Sequence, residues 1–254
     1  MNDSAWPYPF WIAHRGAGRL APENTLAAFR LGASYGWRAF ECDVKLSADG
    51  VPFLLHDATL QRTTSGEGPA RNLDWAHLSR LDAGGWHSRA YAGEPPASLE
   101  AVARYVVRNG YALNIEIKPS AGQEDETGRT VAALADRLWA RQAAPPLLSS
   151  FRTAALEGAR AAAPRLPRAL LLETLWPGWL EAARELGCVA VVTHHEVTDA
   201  ELVAQLHAEG LRSVVYTVND PSSAQRLLVA GVDGIVTDAV DRFSPGDGAA
   251  GLLD

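Results

Sequence analysis

The chain has 254 residues, of which 47% are hydrophobic and 21% are charged, as is typical of a globular protein with a sizeable core. Its formal net charge of −7 and pI near 5.5 argue against nucleic acid as a main partner, so an anionic ligand would need a local positive patch. The N-terminus lacks the features of a signal peptide, and no apolar run is long enough to span a membrane. Two cysteines make a poor disulfide framework. Together these features predict a cytoplasmic protein.

Short apolar runs alternate with amphipathic stretches along the chain. The runs that we interpret as strands cover residues 10–14, 39–44, 112–117, 146–150, 168–172, 188–193, 213–218 and 234–237. Helical periodicity occurs near residues 23–36, 98–109, 125–142, 151–163, 176–186, 198–209 and 220–230. Thr198 and Asp220-Pro221 are typical helix openings. Eight strands alternating with helices predict an α/β protein with the (β/α)8 TIM-barrel fold.

One region interrupts this alternation after the second strand. Residues 47–50 (SADG) predict a tight turn that leads directly into another apolar segment. A parallel crossover needs about a dozen residues, so the two segments should form an antiparallel hairpin. Residues 46–97 contain clusters of glycine and proline without long periodicity, and we interpret them as an insertion. The chain is therefore expected to be one domain over residues 1–254, with a barrel formed by residues 10–45 and 98–245.

Acidic residues lie near the predicted carboxyl ends of the strands, where barrel enzymes place their active sites. Glu41 and Asp43 are two residues apart on one strand, as are Glu116 and Lys118 on the next barrel strand, so each pair should point the same way. Three carboxylates at one mouth would raise one another's pKa values unless a cation lay among them. Oxygen ligands favour Mg²⁺ or Ca²⁺, with Mn²⁺ as a further option. The alternative is that these carboxylates form buried salt bridges with the basic residues of the same region, Lys45, Lys118 and Arg15.

Two histidines are expected at the same rim. His14 ends the first strand, and His56 ends the strand of the hairpin. Each alone would be interpreted as a structural histidine, but beside acidic and basic residues they form a candidate pair of general acid and general base. The sequence does not distinguish which histidine is the acid. A second pair, His194 and His195, should lie on the opposite side of the ring, and we interpret it as structural or peripheral.

Residues 16–21 match a form of the dinucleotide-binding fingerprint, G-x-G-x-x-A. A dinucleotide-binding helix should begin at these glycines, whereas Pro22 and Asn24 place the helix start later. That fold also requires one acid after its second strand, not a pair on one face followed by a hairpin. The glycines are better explained by a sharp turn that lets Arg15 face a phosphate group.

Several segments together resemble the motifs of one enzyme family, the glycerophosphodiester phosphodiesterases. They are IAHRGAGRLAPENTLAAF, ECDVKLSADGVPFLLHD, LNIEIKP, LLSSF, YTVN and GVDGIVTDA. The resemblance extends from about Trp6 to Asp241, and the paired H-R-G and H-D blocks make it specific. The chain is most similar to the bacterial cytosolic branch associated with glycerol-3-phosphate uptake, which shares WPYP, GEP, PPLLSSF and VYTVN.

This resemblance implies a barrel of the phosphatidylinositol-phospholipase-C-like type and metal-dependent hydrolysis of glycerophosphodiesters to sn-glycerol 3-phosphate and an alcohol. Two alternatives keep the fold: a phosphodiesterase acting on intact lipid headgroups, and a non-catalytic barrel that binds glycerophosphodiesters. The roles implied by the resemblance fall into three groups: catalytic His14 and His56, substrate-binding Arg15, Lys118 and Tyr216, and metal-binding Glu41, Asp43 and Glu116.

Overall fold

Eight parallel strands close into a barrel in the computed structural model, which describes residues 6–245. The strands of the described chain are β1 (Trp11–Ala13), β2 (Ala39–Leu46), β3 (Pro52–Leu54), β4 (Ala112–Ile117), β5 (Leu147–Ser150), β6 (Arg168–Leu172), β7 (Ala190–His194), β8 (Arg212–Tyr216) and β9 (Gly234–Thr237). β1 pairs in parallel with both β2 and β9, which closes the ring. β3 lies outside the ring and pairs antiparallel with β2. The predicted TIM barrel is confirmed.

Helices surround the barrel and connect its strands. They are α1 (Leu26–Ser34), α2 (Trp75–Leu78), α3 (Leu99–Asn109), α4 (Glu124–Leu138), α5 (Thr153–Ala162), α6 (Trp179–Glu185), α7 (Ala200–Ala208) and α8 (Pro221–Ala230). Asp220 caps α8 as predicted, since its carboxylate accepts the Ser223 amide. The opening predicted at Thr198 is wrong: Asp199 caps α7, and the buried Thr198 hydroxyl donates to the His194 carbonyl instead. Among residues 6–245, no helix combines the length and apolarity needed to cross a membrane.

The segment between β2 and α3 has a small apolar core of its own. It contains β3, α2 and two short 3₁₀ turns, and its buried side chains are Phe53, Leu55, Leu60, Ala70 and Leu78. Several hydrogen bonds join it to the first βα unit. Among them, His87 Nε2 contacts the Arg19 carbonyl at 3.0 Å, and the Glu94 carboxylate accepts the Ala27 amide at 3.0 Å. The segment therefore lies against the loop between β1 and α1, at the mouth of the barrel.

The inward face of the barrel changes from apolar to polar along each strand. Towards the amino ends it is filled by an apolar cluster of Tyr8, Ile12, Ala39, Leu147, Ala169, Leu171, Ala190, Val192, Val214 and Val236. Glu41 and Asp43 follow Ala39 on the same face of β2, because side chains alternate along a strand. The apolar cluster closes one end of the barrel, so the polar side chains converge at the other.

Candidate active site

Three buried carboxylates converge at the barrel mouth. One oxygen each from Glu41, Asp43 and Glu116 lies within 4.8 Å of the other two. The ladder between β2 and β4 explains this closeness, because it places Asp43 directly opposite Glu116. The spacing of two residues between Glu41 and Asp43 then directs both side chains inward. The structure thus brings together the three residues that the sequence predicts as metal ligands.

Two of these carboxylates have cationic partners. Asp43 lies between Arg15, whose Nε is 3.1 Å from Oδ2, and Lys118, whose Nζ is 3.2 Å from Oδ1. Lys118 also donates to Glu116 Oε1 at 2.9 Å. Lys45, the third basic residue of the region, donates instead to the Lys118 carbonyl at 3.1 Å. The salt-bridge interpretation therefore describes Asp43 and Glu116 correctly.

Glu41 differs from its neighbours because no lysine or arginine side chain within residues 6–245 pairs with it. Its Oε2 accepts the backbone amide of Arg15 at 3.1 Å and lies 3.8 Å from His14 Nε2. Burial, reinforced by the charge of Asp43, raises the pKa of Glu41 from its usual 4.5 to about 8. Salt bridges to lysine and arginine within the described chain therefore account for only two of the three carboxylates.

The donor atoms of this cluster fit a hard divalent cation. Within the described chain, the buried Glu41 Oε1 has no hydrogen-bond partner, whereas Asp43 Oδ1 has the Lys118 ammonium at 3.2 Å. Buried polar atoms are rarely left unsatisfied without a reason, and an ion is one such reason. All three ligands supply oxygen, which is the donor that Mg²⁺ and Ca²⁺ prefer. These residues can therefore hold a divalent metal ion.

His14 is held by a carboxylate on the ring nitrogen that faces away from Glu41. Its Nδ1 lies 2.6 Å from Asp238 Oδ1, and Asp238 Oδ2 accepts the Asn219 side-chain amide at 3.0 Å. Burial lowers the pKa of His14, but the bond to Asp238 and the charge of Glu41 outweigh it and raise the pKa above its usual value. His14 therefore presents Nε2 to the carboxylate cluster and favours its protonated form.

His56 has the same arrangement on the other side of the site. Its Nδ1 lies 2.7 Å from Asp57 Oδ1, and Asp57 is held in turn by Arg62. Desolvation lowers the pKa of His56, although the charge of Asp43 opposes this effect. His56 therefore favours its neutral form, with Nε2 left free to accept a proton.

An unusual backbone conformation places Arg15 against Asp43. Arg15 and Asn24 both have positive φ values, 50° and 60°, and the Asn24 side chain bonds both the amide and the carboxylate of Asp43. Gly18 lets this loop approach the end of β9 closely, because a Cβ there would lie 2.0 Å from the Asp238 carbonyl oxygen. α1 begins only at Leu26. The fingerprint-like glycines thus shape a tight loop and do not open a dinucleotide-binding helix.

Tyr216 forms one wall of the cavity that His14, Glu41 and Glu116 also line. Its ring packs edge-on against Phe151, with 5.9 Å between the ring centres, and its hydroxyl donates to the Leu172 carbonyl at 3.3 Å. The hydroxyl is therefore engaged, and the ring face is what Tyr216 offers to a ligand.

Comparison with known proteins identifies the family. The model of the glycerophosphoryl diester phosphodiesterase family matches residues 14–242. The chain belongs to this family. It is 32% identical over 232 residues to a glycerophosphodiester phosphodiesterase of Caldanaerobacter subterraneus, covering 89% of this chain and 93% of that protein.

Solved structures of two other phosphodiesterases share the fold. An Oleispira antarctica phosphodiesterase in complex with the product sn-glycerol-3-phosphate superposes with a TM-score of 0.85 at 35% identity, covering 91% of this chain and 94% of that one. A glycerophosphodiester phosphodiesterase of Agrobacterium tumefaciens gives 0.76 at 27% identity, covering 92% and 97%. The chain is accordingly a glycerophosphodiester phosphodiesterase, an enzyme that hydrolyses glycerophosphodiesters.

The candidate active site contains polar residues to which sequence reasoning assigns no catalytic or binding role. They are Glu23, Asn24, Asp57, Arg62, Asn219 and Asp238. Asn24 and Asp57 lie inside the PEN and H-D blocks, which is a signal that could have found them. Arg62 lies in the aperiodic insertion, where no strand end indicates which way a side chain points. The ring centres of His194 and His195 are 4.6 Å apart, and the ring planes are tilted by 35°.

Proposed function

We propose that Glu41, Asp43 and Glu116 bind a divalent cation, Mg²⁺ or Ca²⁺, and that hydrolysis by this phosphodiesterase depends on it. The observation that carries this proposal is the buried Glu41 carboxylate, which has no lysine or arginine side-chain partner in residues 6–245 and has an unpartnered oxygen beside two other carboxylates. When bound, such a cation would supply a Lewis acid that stabilises the negative charge developing on the phosphate.

We propose that His14 is the general acid and His56 the general base. Their environments shift the two pKa values in opposite directions, upwards for His14 and downwards for His56, and such a separation is typical of acid and base pairs. His56 would take the proton of the nucleophile, which is either water or the neighbouring glycerol hydroxyl. His14 would give a proton from Nε2 to the departing alkoxide.

Arg15, Lys118 and Tyr216 would then bind the substrate. The Lys118 ammonium has three N–H donors and contacts two carboxylate oxygens, which leaves a donor for a phosphate oxygen. Arg15 is the second cation beside the carboxylates, with 17% of its side chain exposed. The Tyr216 ring would pack against the apolar part of the substrate. The sn-glycerol 3-phosphate bound by the Oleispira antarctica enzyme supports such a product here.

We also infer that the chain belongs to the bacterial cytosolic branch associated with glycerol-3-phosphate uptake. The support is the resemblance of four short segments, WPYP, GEP, PPLLSSF and VYTVN. Cys42 and Cys188 are both free and buried, which is compatible with the reducing cytoplasm predicted from the sequence.

Release of sn-glycerol 3-phosphate from glycerophosphocholine tests the proposal. We expect turnover that stops after dialysis against EDTA and returns with Mg²⁺, Ca²⁺ or Mn²⁺. Glu41→Gln should lose this metal response, whereas Glu100→Gln, which changes an exposed carboxylate paired with Arg104, should keep it. Full turnover by metal-free enzyme would contradict the metal role, and failure to release the product would contradict the activity itself.

A further inference from the structure

Arg62 connects two parts of the candidate site, the insertion and the β1–α1 loop, through two bidentate contacts. Its Nε and Nη2 donate to the two oxygens of Asp57 at 2.6 and 3.0 Å. Its Nη1 and Nη2 donate to the two oxygens of Glu23, both at 2.8 Å. Four N–H···O bonds therefore fix one guanidinium between two carboxylates that come from different parts of the chain.

Each of these carboxylates also holds a residue of the proposed machinery. Asp57 Oδ1 lies 2.7 Å from His56 Nδ1, and Glu23 Oε1 accepts Arg15 Nη1 at 2.8 Å. A continuous series of contacts therefore leads from His56 to Arg15. Along it, the carboxylates of Asp57 and Glu23 alternate with the guanidinium groups of Arg62 and Arg15. Asp57 belongs to the insertion and Glu23 to the loop between β1 and α1, so the series crosses the boundary between the two.

We propose that Arg62 is a positioning residue that couples the orientation of the His56 ring to that of the Arg15 guanidinium. This inference rests on the proposed roles of His56 as base and Arg15 as phosphate ligand. Arg62 does not itself reach the reacting groups, because within residues 6–245 its guanidinium donates to Asp57 and Glu23. It acts by keeping the insertion and the β1–α1 loop in one relative position.

The geometry requires arginine at this position. A guanidinium offers five donors in a planar fork that can serve two carboxylates at once, whereas a lysine ammonium is a point charge that cannot form two bidentate contacts. The Arg62 side chain is 44% exposed. Solvent screens the ion pairs of an exposed side chain, so its replacement should affect catalysis more than folding, although a bidentate network contributes more to stability than a single surface pair.

The first test compares Arg62→Ala and Arg62→Lys with the wild type, using kcat and KM for glycerophosphocholine and the melting temperature. Misplacement of a catalytic group can cost about 100-fold, so we expect kcat of Arg62→Ala to fall by about 10- to 100-fold, with the melting temperature nearly unchanged. Arg62→Lys should recover only part of kcat. The matched control is Arg129→Ala, which removes an exposed arginine paired with Asp125 at 2.7 Å on α4. Wild-type kcat in Arg62→Ala would overturn the proposal.

The second test asks whether the coupling passes through Arg62. In the wild-type background, the effects of Asp57→Asn and Glu23→Gln on kcat/KM should be strongly non-additive. In the Arg62→Ala background the same two effects should add, because the connection is gone. A structural role alone would lower the melting temperature without removing the coupling. Coupling that persists without Arg62 would overturn the proposal.

A third measurement does not depend on turnover, so it separates this proposal from the proposed function. Ring ¹⁵N NMR of metal-free protein reports the pKa of His56, which the charges of Asp57, Asp43, Arg15 and Lys118 all influence. Removing Arg62 leaves the negative charge of Asp57 unneutralised, so this pKa should rise in Arg62→Ala and stay unchanged in Arg129→Ala. An unchanged His56 pKa in Arg62→Ala would overturn the proposal even if the wild type hydrolyses the substrate.

Discussion

The two histidines have similar aspartate partners but pKa values that are shifted in opposite directions. Both rings contact an aspartate through Nδ1, at 2.6 Å for His14 and 2.7 Å for His56. Asp238 is held by a neutral amide and keeps its charge, which raises the pKa of His14. The hydrogen bonds of Arg62 lower the pKa of Asp57 to about 2, so Asp57 stays ionised. At His56, desolvation and the charges of Arg15 and Lys118 outweigh the hydrogen bond to Asp57 and lower the pKa.

Removal of either histidine should slow the chemistry. Positioned proton transfer contributes roughly 10²- to 10⁴-fold, and we expect His14→Ala and His56→Ala each to lower kcat by that factor. Their double variant should lose much less than the product of the two effects, because both act in one reaction. His195→Ala is the control and should remain within about tenfold of the wild type. Steady-state kinetics on glycerophosphocholine decides this, and a loss in His195→Ala as large as that in His14→Ala would show that the catalytic residues are assigned wrongly.

Asp238→Asn should change the pH dependence of the reaction. The bond from Asp238 raises the pKa of His14, so its loss lowers that pKa and the protonated acid disappears at a lower pH. The alkaline limb of the kcat/KM profile should therefore move towards lower pH, with a reduced maximum. Ser222→Ala, which changes an exposed hydroxyl that bonds Asp220, should leave the profile in place. An alkaline limb at its wild-type position in Asp238→Asn would contradict the role of His14 as acid.

At the scale of elements, α4 and α5 approach each other through two glycines. A Cβ at Gly128 would lie 2.0 Å from the Ala155 carbonyl oxygen, and one at Gly158 would lie 2.4 Å from the Asp125 carbonyl oxygen. At each glycine the missing side chain leaves room for the backbone of the neighbouring helix. This contact sets the spacing of the helices that follow β4 and β5.

Gly128→Ala should destabilise the protein although alanine is the better helix former. The gain in helix propensity is at most about 1 kcal/mol, whereas forcing an added methyl into a packed contact costs about 1–3 kcal/mol and here meets rigid backbone. Urea unfolding should show a net loss, with kcat at room temperature nearly unchanged. The neighbouring exposed variant Arg129→Ala should stay within about 0.5 kcal/mol of the wild type. A more stable Gly128→Ala protein would show that the helices can move apart freely.

The observed bounds of a strand agree with those predicted from the sequence where the local apolar pattern determines them. They differ where pairing with another strand or a backbone turn determines the end of the strand. The strands predicted at 112–117, 168–172 and 234–237 have those bounds in the structure. β2 extends to Leu46, beyond the predicted end at residue 44, because Lys45 and Leu46 pair with β3. β1 ends at Ala13, before the predicted residue 14, because the chain turns immediately into the left-handed conformation of Arg15.

At the scale of the whole molecule, the barrel makes part of the site predictable. Alternation along a strand and convergence of strand ends at one mouth bring Glu41, Asp43 and Glu116 together, and both rules operate on sequence alone. Arg62 and Glu23 follow neither rule, since they meet through side chains in loops without periodicity. The catalytic and substrate-binding roles stay predictions, whereas the fold and the family are confirmed.

The same burial links the stability of the whole molecule to pH and to metal. In metal-free protein the pKa of Glu41 is raised from 4.5 to about 8, so between these values the folded state holds a proton that the unfolded state releases. Stability should therefore fall as pH rises through this window, and a cation that binds ionised Glu41 should stabilise the protein more at about pH 8 than at about pH 5. Melting temperatures with EDTA and with Mg²⁺ at both pH values measure this difference. Glu41→Gln, which cannot ionise, should lose its part of the pH dependence, whereas Glu100→Gln, on the solvent side of α3, should not. An equal gain from Mg²⁺ at both pH values would mean that Glu41 is already ionised in the metal-free protein.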